Sequence, residues 1–460
     1  MRRIFLSFLL AGAAQADEMA APPPVAAQDA QIKVQAATNP PASLFEADTL
    51  RKQRAPLEIA LLRAMVRDSK VEKGFFNSLF SSKVNQSDID LLTEMDSFID
   101  RFAELAETAE IYQLKSQINL RMNAYPQAAI NELMLLAAYP DSSFVLEAQK
   151  ELHALSDDKL KKHELILKVM SDTAKSLSGD QEQRVATYLI FLGSLREADF
   201  AAAIAAECAL FLARNQTFLD EDKIEHALAH QKMLYSPEMA VFHFKKLLAL
   251  YPASPLRADS QLSVGLIERE ALKRYAEAVA SFKTVIADFP DADEARQAHE
   301  SLANTYDENL RDYVNAIAAY EAIASRYKND AVVLRSLQSL ARLYQDKTHQ
   351  PAQALATYRR VYDIFKGREG LAALVKAQKI AVSHLSDWNQ AIEINDLIMR
   401  AYPDSDEAVT ALYGNGVIYE ENKKEIEHAT RLYQDLINRY PQHELSKDAK
   451  RRINTLTQKK

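Results

Sequence analysis

From residue 105 to 445 small, aromatic and proline positions keep a fixed phase. In "YAEAVASFKTVIADFP" Ala278 is followed four residues later by Phe282 and twelve later by Pro290. The same frame fits Ala240 (Phe244, Pro252), Ala316 (Tyr320, Lys328), Ala354 (Tyr358, Lys366), Ala391 (Asn395, Pro403) and Ala429 (Tyr433, Pro441). Upstream it fits Ala203 (Glu207, Asn215) and Ala128 (Glu132, Pro140). From Ala203 onward the intervals between alanines are 37, 38, 38, 38, 37 and 38. The 75 residues between Ala128 and Ala203 leave room for a degenerate unit with "KKHELILKVMSDTAKSLSG" as its second helix, which makes nine units. The stretch AYPDS, at 138–142 and again at 401–405, is the joint between units seen twice. A period of this size is the signature of stacked structural repeats.

Each unit reads as two antiparallel helices. The first appears as "SLANTYDEN", "SLARLYQDK" and "YGNGVIYEEN", with a small residue (Gly265, Ala303, Ala341, Gly416) thirteen before the alanine of the second. Small residues on both helices allow close backbone approach, and the aromatic one turn on fills the groove beside them. Tyr306, Tyr344 and Tyr419 lie three positions after the small residue, on the same helical face. Proline placement is independent support, since Pro in a helix interior costs about 3 kcal/mol. Pro140, Pro252, Pro290, Pro403 and Pro441 follow second helices, Pro126, Pro237 and Pro351 open them, and Pro255 follows Ser254 as a capped first-helix start. The expectation is an all-α fold, a right-handed superhelical α-solenoid of about nine helix-turn-helix repeats with a period of 37–38, whose first helices line the concave side.

The flanks carry different patterns. "LEIALLRAMVRD" and "DIDLLTEMDSFIDRFAEL", within 44–104, have helical spacing out of phase with the repeats and read as an N-terminal cap. Between them, Phe75, Phe76, Leu79 and Phe80 read as a plug for the open apolar end of the array, or else as an aromatic patch for a partner. At the other end residues 446–460, "SKDAKRRINTLTQKK", form a polar, basic capping helix. Residues 17–43 are Ala-, Pro- and Gln-rich with almost no large apolar side chain, a disordered linker. Residues 1–16 read as a signal peptide: basic "MRR", apolar "IFLSFLLAGAA", and cleavage after Ala16. The protein is therefore expected in the periplasm; full secretion gives the same signal.

Composition narrows the chemistry. With 56 Lys and Arg against 64 Asp and Glu the net charge is −8, which disfavours nucleic acid and anionic membrane as partners. No apolar run is long enough to span a bilayer, and no cysteine lies within or just after the apolar signal segment, so neither a span nor a lipid anchor is expected. The single cysteine, Cys208, sits in "AAIAAECALFLA" as a small apolar helix position. P-loop, GxGxxG, GxSxG, CxxC and HExxH motifs are absent, and no catalytic residue is expected. His226 and His230, four apart on one helical face with Asp222 a turn back, could hold zinc. But Ala227 takes the small position of that helix and His230 the aromatic one, so packing accounts for the pair, and no metal or cofactor is expected.

These features resemble the tetratricopeptide repeat (TPR), over about 105–445. The longer joint, "YPDS" or "FPDADE", is similar to that of periplasmic proteins associated with the Tol–Pal system and of the outer-membrane assembly lipoprotein of the Bam complex. The resemblance implies ligand contacts on first-helix faces away from the packing residues: Arg269, Glu300, Asn304, Asp307, Arg335, Gln338, Arg342, Tyr413 and Glu420. That mixed polar set suits an extended peptide or a protein helix. Asn304 has no matching Lys and Asn in the next unit, so the carboxylate clamp for acidic chaperone tails is not expected. The function implied is a non-catalytic scaffold holding envelope proteins or peptides together. The alternatives are a scaffold for exopolysaccharide synthesis and export, or peptidoglycan and sugar binding by the groove. The sequence does not fix the oligomeric state.

Overall fold

The computed structural model describes residues 44–68, 86–214, 220–328 and 331–458. The readings of residues 1–43 and of the Phe75–Phe80 stretch lie outside these. The chain divides into two units, Met1–Arg54 and Ala55–Lys460. Of the first, residues 44–54 are described and are helical, within Leu44–Asp68. The second is entirely helical among the described residues and is an α-solenoid. Ahead of the first repeat lies the amphipathic helix Gln86–Phe102, which buries Leu91, Met95, Phe98, Ile99 and Phe102.

Nine helix pairs follow, from Thr108–Arg121 with Tyr125–Ala138 to Asp406–Val417 with Ile426–Arg439, and Glu444–Gln458 closes the array. In most of them the first helix packs on its own second helix and on the second helix of the preceding repeat. The eight frame alanines lie at the centre of these contacts, none more than 6% exposed. The ring four residues on is buried too, at Phe244, Phe282, Tyr320, Tyr358 and Tyr433. At two repeats the ring lies against a glycine. A Cβ added to Gly265 would stand 2.6 Å from Phe282, and one added to Gly416 would stand 2.4 Å from Tyr433. The small residue of the first helix therefore makes room for the aromatic of the second, which sits directly upon it.

The turn between the helices repeats as closely as the core. Lys273, Arg311, His349, Ser386 and Lys424, each five before its frame alanine, are left-handed, with φ between 51° and 60°. Across each of them the chain closes with a bond to a carbonyl six residues back, as from Arg274 N–H to the Glu268 carbonyl (2.7 Å) and from Asp312 N–H to the Tyr306 carbonyl (2.8 Å). In four repeats the first helix widens into a π-helical turn before this closure: Thr305–Leu310, Leu343–Lys347, Ala381–Leu385 and Ile418–Lys423.

Two features depart from the regular repeat pattern. The degenerate second unit supplies helices Val145–Asp157 and Glu164–Ser176, but they touch each other only sparingly, and Leu146 and Leu165 remain exposed. Tyr125–Ala138 packs on both of them and, in addition, directly on the helices of the third unit, Gln181–Ser194 and Ala198–Arg214. Every residue from Ala128 to Ala138 is buried as a result. Polar groups seal that contact: Glu207 accepts from Lys115 Nζ at 3.0 Å and, at 3.4 Å each, from the Tyr112 hydroxyl and Asn131 Nδ2. Second, Ser254 does not cap a helix beginning at Pro255. The helix is Arg257–Glu270, and the Ser254 hydroxyl instead accepts from Leu256 N–H and donates to Asp222 Oδ2.

Candidate protein-binding groove

The first-helix positions expected to contact a ligand divide into three groups. Glu300, Asp307, Arg335, Gln338 and Arg342 form one continuous polar face across two repeats. Arg335 pairs with Glu300 through two hydrogen bonds (2.6 and 2.9 Å), and Arg342 lies 3.6 Å from the buried Asp307 carboxylate. Asn304 and Arg269 are turned to internal work. Asn304 accepts from the Tyr320 hydroxyl (3.0 Å), while Arg269 lies over the Phe282 ring and reaches the Ser301 carbonyl of the next repeat. Tyr413 and Glu420 are covered by the closing helix. Arg452 donates to the Tyr413 hydroxyl at 3.0 Å and to Glu420 Oε2 at 2.9 Å, and spans Tyr413 to a centroid distance of 5.9 Å. Both therefore already carry a partner from the same chain.

What remains is a cleft between the first helices Ala331–Arg342 and Arg368–Ile380, continued through their π turns. Arg335, Gln338 and Arg342 form one wall, Lys376 and Lys379 the other, and Tyr358 contributes a ring to the lining. Lys376 and Lys379 are exposed, and Asp346 is the one carboxylate among the lining residues. Lys376 lies 5.4 Å from the centroid of Tyr358. On a chain of net charge −8 this is a local concentration of cations. The sequence reading missed the two lysines because Gln378 replaces the small residue that marks a first helix. The spacing held the signal: Lys379 follows Arg342 by 37 residues, as Ala391 follows Ala354.

A second polar cluster lies between Glu221–Met233 and Arg257–Glu270. His226 and His230 are neighbours across one turn as expected, but Asp222 is engaged with Ser254. The carboxylate beside the histidines is Asp259, from the next repeat. Burial pushes His230 down, while the two imidazoles hold the half-buried Asp259 carboxyl well below the usual carboxylate range against the opposing effect of desolvation. Cys208 is buried, and desolvation pushes its thiol up, as suits a packing residue rather than a nucleophile. No described helix is long and apolar enough to cross a membrane.

The tetratricopeptide repeat model matches residues 259–292. No curated protein matches the chain. Among solved structures it is similar to the APC/C hetero-tetramer Cut9–Hcn1, at 12% identity over 79% of this chain and 81% of that one, TM-score 0.23. It is similar also to yeast Tom70, at 12% identity over 90% and 94%, TM-score 0.24. A third is the TPR domain of P58(IPK), at 11% identity over 83% and 98%, TM-score 0.22. Scores this low say nothing of what the chain binds. Residues 259–292 match a tetratricopeptide repeat, and the buried alanine and left-handed turn of that segment recur at the same phase in the repeats that follow.

Proposed function

We propose that the protein is an exported, non-catalytic scaffold of the bacterial periplasm that holds envelope proteins together, in outer-membrane assembly or Tol–Pal-like envelope maintenance. Its first-helix cleft binds an extended peptide segment rich in Asp and Glu. The observation carrying this reading is the cleft of Arg335, Arg342, Lys376 and Lys379 on an otherwise acidic chain. Backbone groups of an extended segment would meet Gln338, and its carboxylates the flanking cations. The N-terminal "MRRIFLSFLLAGAA" supports export. With Tyr358 and His384 as the rings among the lining residues, and the former buried, stacking on a sugar has little to work with.

The test is in-cell cross-linking and affinity capture with the native signal intact, comparing wild type with a Lys376→Glu, Lys379→Glu double variant. These lysines are better targets than Arg335, whose reversal would also set like charge against Glu300. Capture of envelope proteins, reduced at least tenfold in the double variant, is the expected result, equivalent to about 1.4 kcal/mol or more. Unchanged capture removes the cleft as the binding surface. Recovery of polysaccharide-export proteins points to the exopolysaccharide pathway, and recovery of cytoplasmic proteins alone refutes export.

A further inference from the structure

Where the repeat beginning at Glu221 meets the next, three ligating side chains converge. His226 Nε2 lies 2.6 Å from Asp259 Oδ2, and His230 Nε2 lies 3.4 Å from that oxygen and 3.2 Å from His226 Nε2. We propose that His226, His230 and Asp259 form a divalent-cation site, best matched to zinc, that staples these two repeats together. It is independent of the cationic cleft, which lies in later repeats.

Two of the three distances fit a shared cation better than they fit hydrogen bonds. Tetrahedral zinc with ligands about 2.0–2.1 Å away holds them about 3.3 Å apart, so two edges of the triangle already match and one has to open. Without a cation the protons are frustrated. Arg196 Nη1 donates to His230 Nδ1 at 2.8 Å, which leaves the His230 proton on Nε2. The 2.6 Å contact of His226 with Asp259 requires a proton on His226 Nε2 as well. Two N–H groups then face each other across 3.2 Å, and His230 has only the 3.4 Å contact left to donate into. A cation at the centre satisfies all three lone pairs at once.

The donor set is what zinc takes: two imidazole nitrogens and a carboxylate oxygen, with a fourth position for water or a partner's side chain. That position opens on a cleft lined by Ile190, Ser194, Pro255 and Leu256 together with Arg196 and Lys223, whose ammonium is paired with Asp220. The rings are held in place by packing, edge-on to each other at 4.3 Å and edge-on to Phe244 at 5.6 and 5.1 Å. Phe244 is the buried ring of this repeat's own frame, so the positions that build the fold also orient the ligands. Arg196 works against the cation. Zinc on Nε2 puts the His230 proton on Nδ1, which the guanidinium cannot accept, so Arg196 has to turn away. Arg196→Gln supplies an accepting carbonyl in its place and tightens binding about tenfold.

The experiment uses the full chain without a histidine tag, stripped of metal. Zinc binding is measured by equilibrium dialysis, and Co2+ is added separately for its visible spectrum. The expected result is one tightly held zinc per chain and the intense visible bands of four-coordinate cobalt. Asp259→Asn and His226→Gln should each weaken zinc about 100-fold, with the metal-free circular dichroism unchanged. The proposal is overturned if the wild type retains no zinc at micromolar concentration, or if both variants retain it equally, which would leave a hydrogen-bonded joint. Weak six-coordinate bands from cobalt on the wild type overturn it as well, and that readout needs no variant to fold.

Discussion

Glu132 stands where other repeats carry a phenylalanine or tyrosine, four residues after the frame alanine. It is 2% exposed, and its Oε2 has no hydrogen-bond partner. Burial raises its pKa from 4.5 to about 7, helped by Glu151 and Glu147 and opposed by Ser116. The folded chain therefore keeps this proton between pH 4.5 and 7 while the unfolded chain has released it. Stability is greatest below the unfolded value, falls as pH rises through that window, and levels off above it. Glu132→Gln removes the titration, so the variant should gain on wild type by on the order of 3 kcal/mol between pH 4.5 and 8. Urea unfolding of both proteins at several pH values measures this, and parallel curves would contradict it. Glu207, in the equivalent position, has Lys115 as a counter-charge 3.0 Å away. The sequence shows both glutamates in the aromatic frame. It does not show which has a counter-charge, since Lys115 is 92 residues distant in the chain.

At the scale of the element, the turns present a choice that composition hid. Five first helices end on Lys, Arg, His, Ser and Lys in left-handed backbone, at positions where glycine is usual. A non-glycine residue there is strained by about 1 kcal/mol or more. Lys273→Gly and Lys424→Gly should each raise stability by about 0.5–1 kcal/mol, relief of strain outweighing the added freedom of the unfolded chain. Thermal melting decides it, and a lower midpoint in both would mean the lysine side chains contribute more than the backbone loses. With only nine glycines in the chain, the usual punctuation mark was missing. The helices themselves were legible because prolines and small residues act locally, through sterics that a few neighbouring positions define.

Across the second unit, successive repeats are tied by side chains about one period apart. Arg335 pairs with Glu300, Arg342 with Asp307, Arg360 with Glu321, Arg359 with Glu393 and Arg452 with Glu420. Exposed pairs of this kind contribute about 0–1 kcal/mol each, so the apolar seam remains the main source of cohesion. At the C-terminal end that seam is covered by Glu444–Gln458, whose Ala449 is fully buried and whose Leu445, Ile453 and Leu456 pack against the cluster that holds Tyr433 and Leu436. Removing residues 444–460 should loosen the last repeat first. Hydrogen exchange in Ile426–Arg439 should rise at least tenfold, about 1.4 kcal/mol, while Tyr275–Asp288 is unchanged. A uniform rise along the array would show that the repeats unfold as one unit.

The sequence by itself determined the period, the pairing of helices within a repeat and the buried alanine at each crossing. These follow from steric size and helical spacing within about forty residues, and every copy restates them. Only the tertiary structure decided which repeats touch. The second helix of the first repeat, Tyr125–Ala138, packs on both helices of the second unit and on both helices of the third, which buries it from Ala128 to Ala138. It also decided that Asp259 rather than Asp222 meets the two histidines, that Lys376 and Lys379 face Arg335 and Arg342, and that Arg452 takes up Tyr413 and Glu420. Such juxtapositions depend on how far one repeat is rotated and shifted against the next. That is a property of side-chain packing across the joint, and no single repeat encodes it.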